Sequence, residues 1–180
     1  MASELRVDRI IPTTGVPTGG GGGVIQIVQA STSTEVTINT QTYTDTGLSA
    51  TITPRFASSK ILMITNHQVY AVSDGNNDFY WGIRYLRDST TIYTPVSDGT
   101  GPYDFGNQAY GASTTRTWYN RCVPPQFLDS PNTTSTCTYK LHFLGDGGGR
   151  SATINRPVTN PGDGYNTPAN TTLTLMEIAG

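Results

Sequence analysis

The sequence predicts an all-β fold, an antiparallel sandwich or barrel, and three observations predict it. Threonine (30 of 180 residues), tyrosine, valine and isoleucine favour strands, while 20 glycines and 11 prolines supply turns. Short runs with period-two alternation recur between turn signals at regular spacing, giving nine or ten strands. No segment carries a helical period with caps at its ends. The length allows one ordinary domain with a terminal extension. Apolar residues make up 35% and charged residues 13%, with a net charge of -2. That balance, with ten Tyr, five Phe and two Trp, is not the high-charge, aromatic-poor signature of disorder.

The chain opens with ELRVDRIIPTTGVPTGGGGGVIQIVQ, residues 4 to 29. Leu5, Val7, Ile10 and Ile11 form a short apolar arm that Pro12 cuts off. It is too short to fold alone and too apolar to leave in water. Its weak alternation suits one strand added to the edge of a partner's sheet. A Pro/Gly spacer follows, ending in Gly19, Gly20, Gly21, Gly22 and Gly23, which reads as a flexible tether. The expected division is an attachment arm and tether over 1–23 and a β-sandwich body over 24–180.

Within the body, strands are expected at Val24–Gln29, Val36–Ile38 and Leu48–Thr53, with Thr46-Gly47 as a turn and Pro54 as a stop. The run ILMITNHQVY starts with four apolar residues, hence two buried faces, and is expected to emerge towards solvent from Thr65. Asp74 to Asp78 is a turn. Phe79, Trp81, Ile83 and Tyr85 then alternate cleanly against Tyr80, Gly82, Arg84 and Leu86. Asp88-Ser89 turns that strand into Thr90–Thr94. Residues 95–114 lack periodicity, and a loop this long in a compact domain usually binds something or meets a neighbouring subunit. Strands resume at Thr117–Val123, stop at Pro124-Pro125, and return at Ser135–Leu144, Ala152–Asn155 and Thr171–Ile178. A second irregular loop occupies 156–169. The last strand is expected in a central position, because Leu173, Leu175, Met176 and Ile178 would be a hazard on an edge.

The chemistry of sites gives little. The glycine run has no following Lys-Ser or Lys-Thr and no strand–loop–helix frame, so it is not a phosphate loop. Asp74, Asn76 and Asp78 have the alternate spacing of a calcium loop, but Phe79 stands where glycine is needed and Tyr85 where a bidentate Glu is needed. A plain turn is the expectation. His67 and His142 lack partners at metal-ligand spacing and read as polar or half-buried strand positions. No nucleophile motif is present. Cys122 and Cys137, which would suit adjacent strands, read as two small buried residues rather than a disulfide scaffold. Eleven scattered Lys and Arg form no basic run, which argues against nucleic acid and anionic membranes as partners. MASELRVDR has charges where a signal peptide needs an apolar core, and no apolar run is long enough to span a bilayer. No cofactor, no metal and no catalytic role are expected.

The aromatics are more informative. Tyr103, Phe105, Tyr110, Trp118 and Tyr165, with Tyr80, Tyr119, Asp104, Asn107 and Gln108, fall in or beside loops or on less apolar strand faces. Flat rings and amides in that mixture suit sugar faces and hydroxyls. The competing assignment is packing in the core or at a subunit interface, where Tyr and Trp are also enriched.

The opening segment resembles the start of virion structural proteins of tailed bacteriophages, especially marine and cyanobacterial ones. YTDTGLSATITPRFASSKILM (43–63) is similar to a module of phage tail-fibre and related virion proteins, and FLDSPNTTSTCTYKL (127–141) fits the same pattern. The resemblance implies a β-rich homotrimer with an N-terminal attachment segment that binds other virion proteins. It also implies a jelly-roll head like that of tumour-necrosis-factor-like trimers, assembled in the host cytoplasm. The expectation is a short tail fibre whose head loops contact a host surface glycan. A capsid decoration protein of the same build is the alternative, and a glycan hydrolase is the third.

Overall fold

A computed structural model describes residues 23–73, 78–95, 105–108, 116–122, 126–145, 147, 151–155, 158–159, 166–167 and 170–180. The arm residues Leu5, Val7, Ile10 and Ile11, the tether glycines Gly19 to Gly22, and Tyr103, Tyr110 and Tyr165 lie outside the described residues. So do residues 74–77, on which the calcium-loop question turned.

The described chain is all-β. Its strands are β1 (Val24–Thr32), β2 (Val36–Ile38), β3 (Thr44–Ile52), β4 (Lys60–Ser73), β5 (Asp78–Arg87), β6 (Thr90–Tyr93) and β7 (Phe105–Gln108). After these come β8 (Arg116–Cys122), β9 (Phe127–Asp129), β10 (Cys137–Leu144), β11 (Ser151–Ile154), β12 (Val158–Thr159), β13 (Asn166–Thr167) and β14 (Thr171–Ile178). All pairings are antiparallel, and one set of them nests: β1 with β14, β2 with β11, β3 with β10, β4 with β9 and β8, β5 with β7 and β6. Apart from β2–β11, which extends the first sheet, these pairs form one long hairpin of strands, rolled so that successive pairs fall alternately in two sheets. One sheet runs β1-β14-β4-β11-β2 with β8 and β9 also on β4; the other runs β3-β10-β5-β6 with β7 on β5. This is the jelly-roll form of a β-sandwich.

Alternation fills the space between the sheets. Ile61, Met63 and Val69 of β4 and Leu173 and Leu175 of β14 meet Trp81, Ile83 and Tyr85 of β5 and Tyr139, Leu141 and Phe143 of β10. Trp81 stacks on Phe143 with ring centroids 5.2 Å apart. As expected, β14 is central, between β1 and β4.

Several expectations change. β4 does not emerge towards solvent at Thr65: Thr65 and His67 keep the inward phase and are buried. The hydroxyls of Thr65 and Tyr85, 2.9 Å apart across the sandwich, make burial tolerable for Thr65. Thr46-Gly47 is a bulge inside β3 and not a turn. Opposite Lys140 stands Ser49 but opposite His142 stands Asp45, so β3 carries extra residues there. Gly47 takes a φ of 75°, and the Thr46 hydroxyl donates to the Leu141 carbonyl at 2.7 Å, pinning the bulge to β10. The aperiodic stretch 95–114 contains β7, whose order comes from pairing with β5 and not from its own pattern. β9 was not foreseen, and the irregular 156–169 stretch holds the two-residue β12–β13 ladder. Cys122 and Cys137 do not share adjacent strands, since β8 and β10 belong to different sheets, and Cys137 is a free, buried thiol.

Candidate functional site

The body has two distinguishable ends, set by β4. At its first residue, Lys60 faces Ile178, which faces Val24. The Ala179 amide donates to the Gly23 carbonyl at 2.9 Å. The arm therefore leaves the body beside the C-terminus, at the start of β4; we call this the root end. Farther along, Ala71 of β4 faces Trp118 of β8, and β7 lies on β5 with Phe105 opposite Trp81 and Asn107 opposite Phe79. From Lys60 to Ala71 an extended strand covers about 36 Å. Of the candidate contact residues, Phe105, Asn107 and Trp118 thus have their backbones at the far end, the first two on the five-stranded sheet and the third on the seven-stranded one.

Two buried polar clusters brace the root end, and neither was singled out in the sequence. In the first, one carboxylate oxygen of Asp129 (β9) accepts from Arg87 Nη1 (β5) at 2.7 Å and from the Tyr139 hydroxyl (β10) at 2.8 Å. It ties the two sheets together. Burial first, and the neighbouring carboxylate second, hold the Tyr139 hydroxyl protonated far above its ordinary range. Burial likewise raises the nearby Cys137 thiol, so this cysteine sits in the wrong surroundings for a reactive thiolate. The sequence signal was available, because Asp129 and Tyr139 both lie in the 127–141 block.

In the second cluster, Glu177 of β14 is wholly buried. Its carboxylate accepts from Gln26 Nε2 of β1 and, at 2.7 Å, from the backbone amide of Arg55. Burial alone would raise its pKa. The polar groups around it, the nearby Ser59 with the donating Gln26 and the amides of Arg55 and Phe56, outweigh that and hold the carboxyl below its ordinary value. Gln26 also donates to the Thr53 carbonyl at 2.7 Å, so the first body strand is locked to the β3–β4 connection.

The far half of the core carries a different feature. His67 is 1% exposed, meets Trp81 and Phe143 edge-on, and neither ring nitrogen has a hydrogen-bond partner among the described residues. Burial pushes its pKa down to about 4, so the ring is neutral at physiological pH. His142 is half-buried on the outer face of the five-stranded sheet, near Asp45 (3.7 Å). On that face Arg84 lies over the Tyr43 ring at 3.8 Å and Lys140 approaches Asp45 at 3.9 Å. Among the described residues no group of three or more His, Cys, Asp or Glu is placed to hold a metal ion.

No family model matches the chain, and no curated protein matches it. Among solved structures it is similar to T=1 particles derived from infectious bursal virus, with a TM-score of 0.34 and 12% identity over 94% of this chain and 43% of that one. A mutant VP2 protein of infectious bursal disease virus, also in T=1 particles, gives a TM-score of 0.34 and 12% identity over 94% and 44%. The Gt strain of the same virus gives 0.31 and 11% over 94% and 44%. The chain spans less than half the length of these chains.

Proposed function

We propose that this chain is a non-enzymatic virion structural protein, a short homotrimeric tail fibre. Residues 1–23 fasten it to another virion protein, and the jelly-roll body carries a host-glycan contact at its far end. The observation that carries the reading is the polarity of the body. The arm departs at the start of β4, beside the C-terminus and at the end that holds the two buried polar clusters. Trp118 is met about 36 Å farther along β4, and Phe105 and Asn107 lie towards the same end of the other sheet, on β5. An attachment protein needs that separation, because a load-bearing joint and a recognition surface cannot occupy one place. The sequence resemblance supports it independently: the 43–63 and 127–141 blocks supply β3, the start of β4, β9 and most of β10, hence the framework of the root end.

The full-length protein should bind host cells, and Phe105→Ala with Trp118→Ala should weaken binding at least tenfold; the melting temperature is read alongside, because Phe105 stands opposite the core residue Trp81 in the β5–β7 pair. Unchanged binding by that variant removes the glycan contact. A fibre should be found in few copies at the tail; many copies over the capsid would make the protein a decoration protein instead.

A further inference from the structure

The two outer faces of the sandwich differ in kind. The five-stranded sheet shows Asp45, Arg84, Lys140 and His142 to its surroundings. The seven-stranded sheet shows an uncharged row. Ile27 of β1 faces Met176 of β14, Met176 faces Leu62 of β4, and Leu62 faces Leu128 of β9. All four are out of phase with the core residues Ile61, Met63 and Leu175, so they line the outer surface. The row is most open at its two ends, with Ile27 59% and Leu128 48% exposed. Ile64 and Ile178 widen it. Four strands side by side carry apolar groups here where an antiparallel sheet with one wet face would carry polar ones.

We propose that in the free protein this face is the docking surface for residues 4–11 of the same chain. The inference rests on reading those residues as a docking segment, and goes beyond it by naming where they sit before assembly. Two considerations select this occupant. The first is where the preceding chain ends: Val24 faces Ile178 at the margin of the row, three residues before Ile27. The intervening Pro12 to Gly23 can extend to about 40 Å, whereas the row is about 14 Å across from the first strand to the fourth. A tethered segment with that reach is present at millimolar effective concentration. The second is size. Four strands by about four residues is about 270 Å², roughly a third of what each partner of a stable protein–protein interface contributes. A flat contact with another folded body needs more, while a short segment carrying Leu5, Val7, Ile10 and Ile11 is matched to it.

Met176 reports occupancy, because methionine oxidation follows exposure. The full chain and its Leu5→Asp/Val7→Asp variant are treated with dilute hydrogen peroxide, and sulfoxide at Met176 is followed by mass spectrometry, with the buried Met63 as the internal control. The variant changes no body residue, so its fold is not at risk. The expected result is Met176 oxidation roughly fivefold faster or more in the variant, Met63 unchanged, at any protein concentration. Equal rates at Met176 would overturn the proposal. Protection in the parent that disappears on dilution would also overturn it, because the cover would then be a second copy. Virion incorporation is a separate reading: loss of incorporation with equal Met176 rates defeats the latch and keeps the attachment role, and the converse does the opposite.

Discussion

The root end and the far end of this sandwich solve the burial of polar groups in opposite ways. At the root, Asp129 and Glu177 are each buried with two or more donors in place, and each links segments distant in sequence. Towards the far end, His67 is buried among aromatic rings with no partner among the described residues. Partnered buried charge braces a structure at neutral pH; an unpartnered imidazole only tolerates it. The joint from which the chain would be pulled is thus the tied end, and the end carrying the candidate contact strands holds the acid-sensitive residue.

The comparison breaks first at Asp129. Asp129→Ala leaves Arg87 and the Tyr139 hydroxyl without their shared acceptor, and should cost about 3 kcal/mol, seen as a midpoint shift in denaturant unfolding. In a chain of this length that corresponds to a melting temperature lower by about 10 °C. A loss below 1 kcal/mol would mean the cluster does not brace the root.

His67 is tested by pH. Its folded-state pKa, about 4, lies below the ordinary 6.5, so the folded protein keeps it neutral. The associated stability is whole above pH 6.5, declines as the unfolded chain takes up the proton first, and has fully gone once pH passes below about 4. The loss across that window is on the order of 3 kcal/mol. His67→Phe, an aromatic between Trp81 and Phe143, should flatten the dependence between pH 6.5 and 4. An unchanged slope in the variant would assign acid sensitivity elsewhere.

Glu177 loses stability in the same direction but in a lower window. Its pKa is depressed below the ordinary 4.5, so its contribution is present above that value and lost as pH falls through the lowered one. Glu177→Gln keeps the shape and removes the charge; it should cost about 1–2 kcal/mol at neutral pH and little at the acid end. Urea unfolding at both pH values separates this from a simple packing defect.

The fold was readable where a pattern is local. Phe79 to Leu86 and Thr171 to Ile178 alternate cleanly, and both became core strands; Asp88-Ser89 turned as expected, with Asp88 at φ 55°. What escaped was ordered by its neighbour. Phe105–Gln108 and Phe127–Asp129 are strands because β5 and β4 present edges to them, and three or four residues cannot announce that. From Thr65 the residues turn polar and suggest that β4 emerges towards solvent, with His67 polar or half-buried, yet strand phase puts both inside. The apolar outer row was also invisible: Ile27, Leu62, Leu128 and Met176 are scattered over 150 residues of sequence and join only through register. The arm and glycine run were conspicuous from the start, since nothing in the body's strand pattern absorbs them.

The smallest expected effect on stability concerns the tether. Replacing Gly19 to Gly23 by alanine should leave the melting temperature within about 2 °C, because the run precedes the first body strand in sequence and brings no side chain to the core. It should weaken attachment by stiffening the spacer, measured as fewer copies per particle.

Attachment through residues 1–23 is most directly tested by deleting them and counting the protein in purified virions by quantitative mass spectrometry. The account predicts a body of residues 24–180 that melts cooperatively near the parent temperature and is missing from particles. A folded body found in particles at the parent's copy number would contradict it.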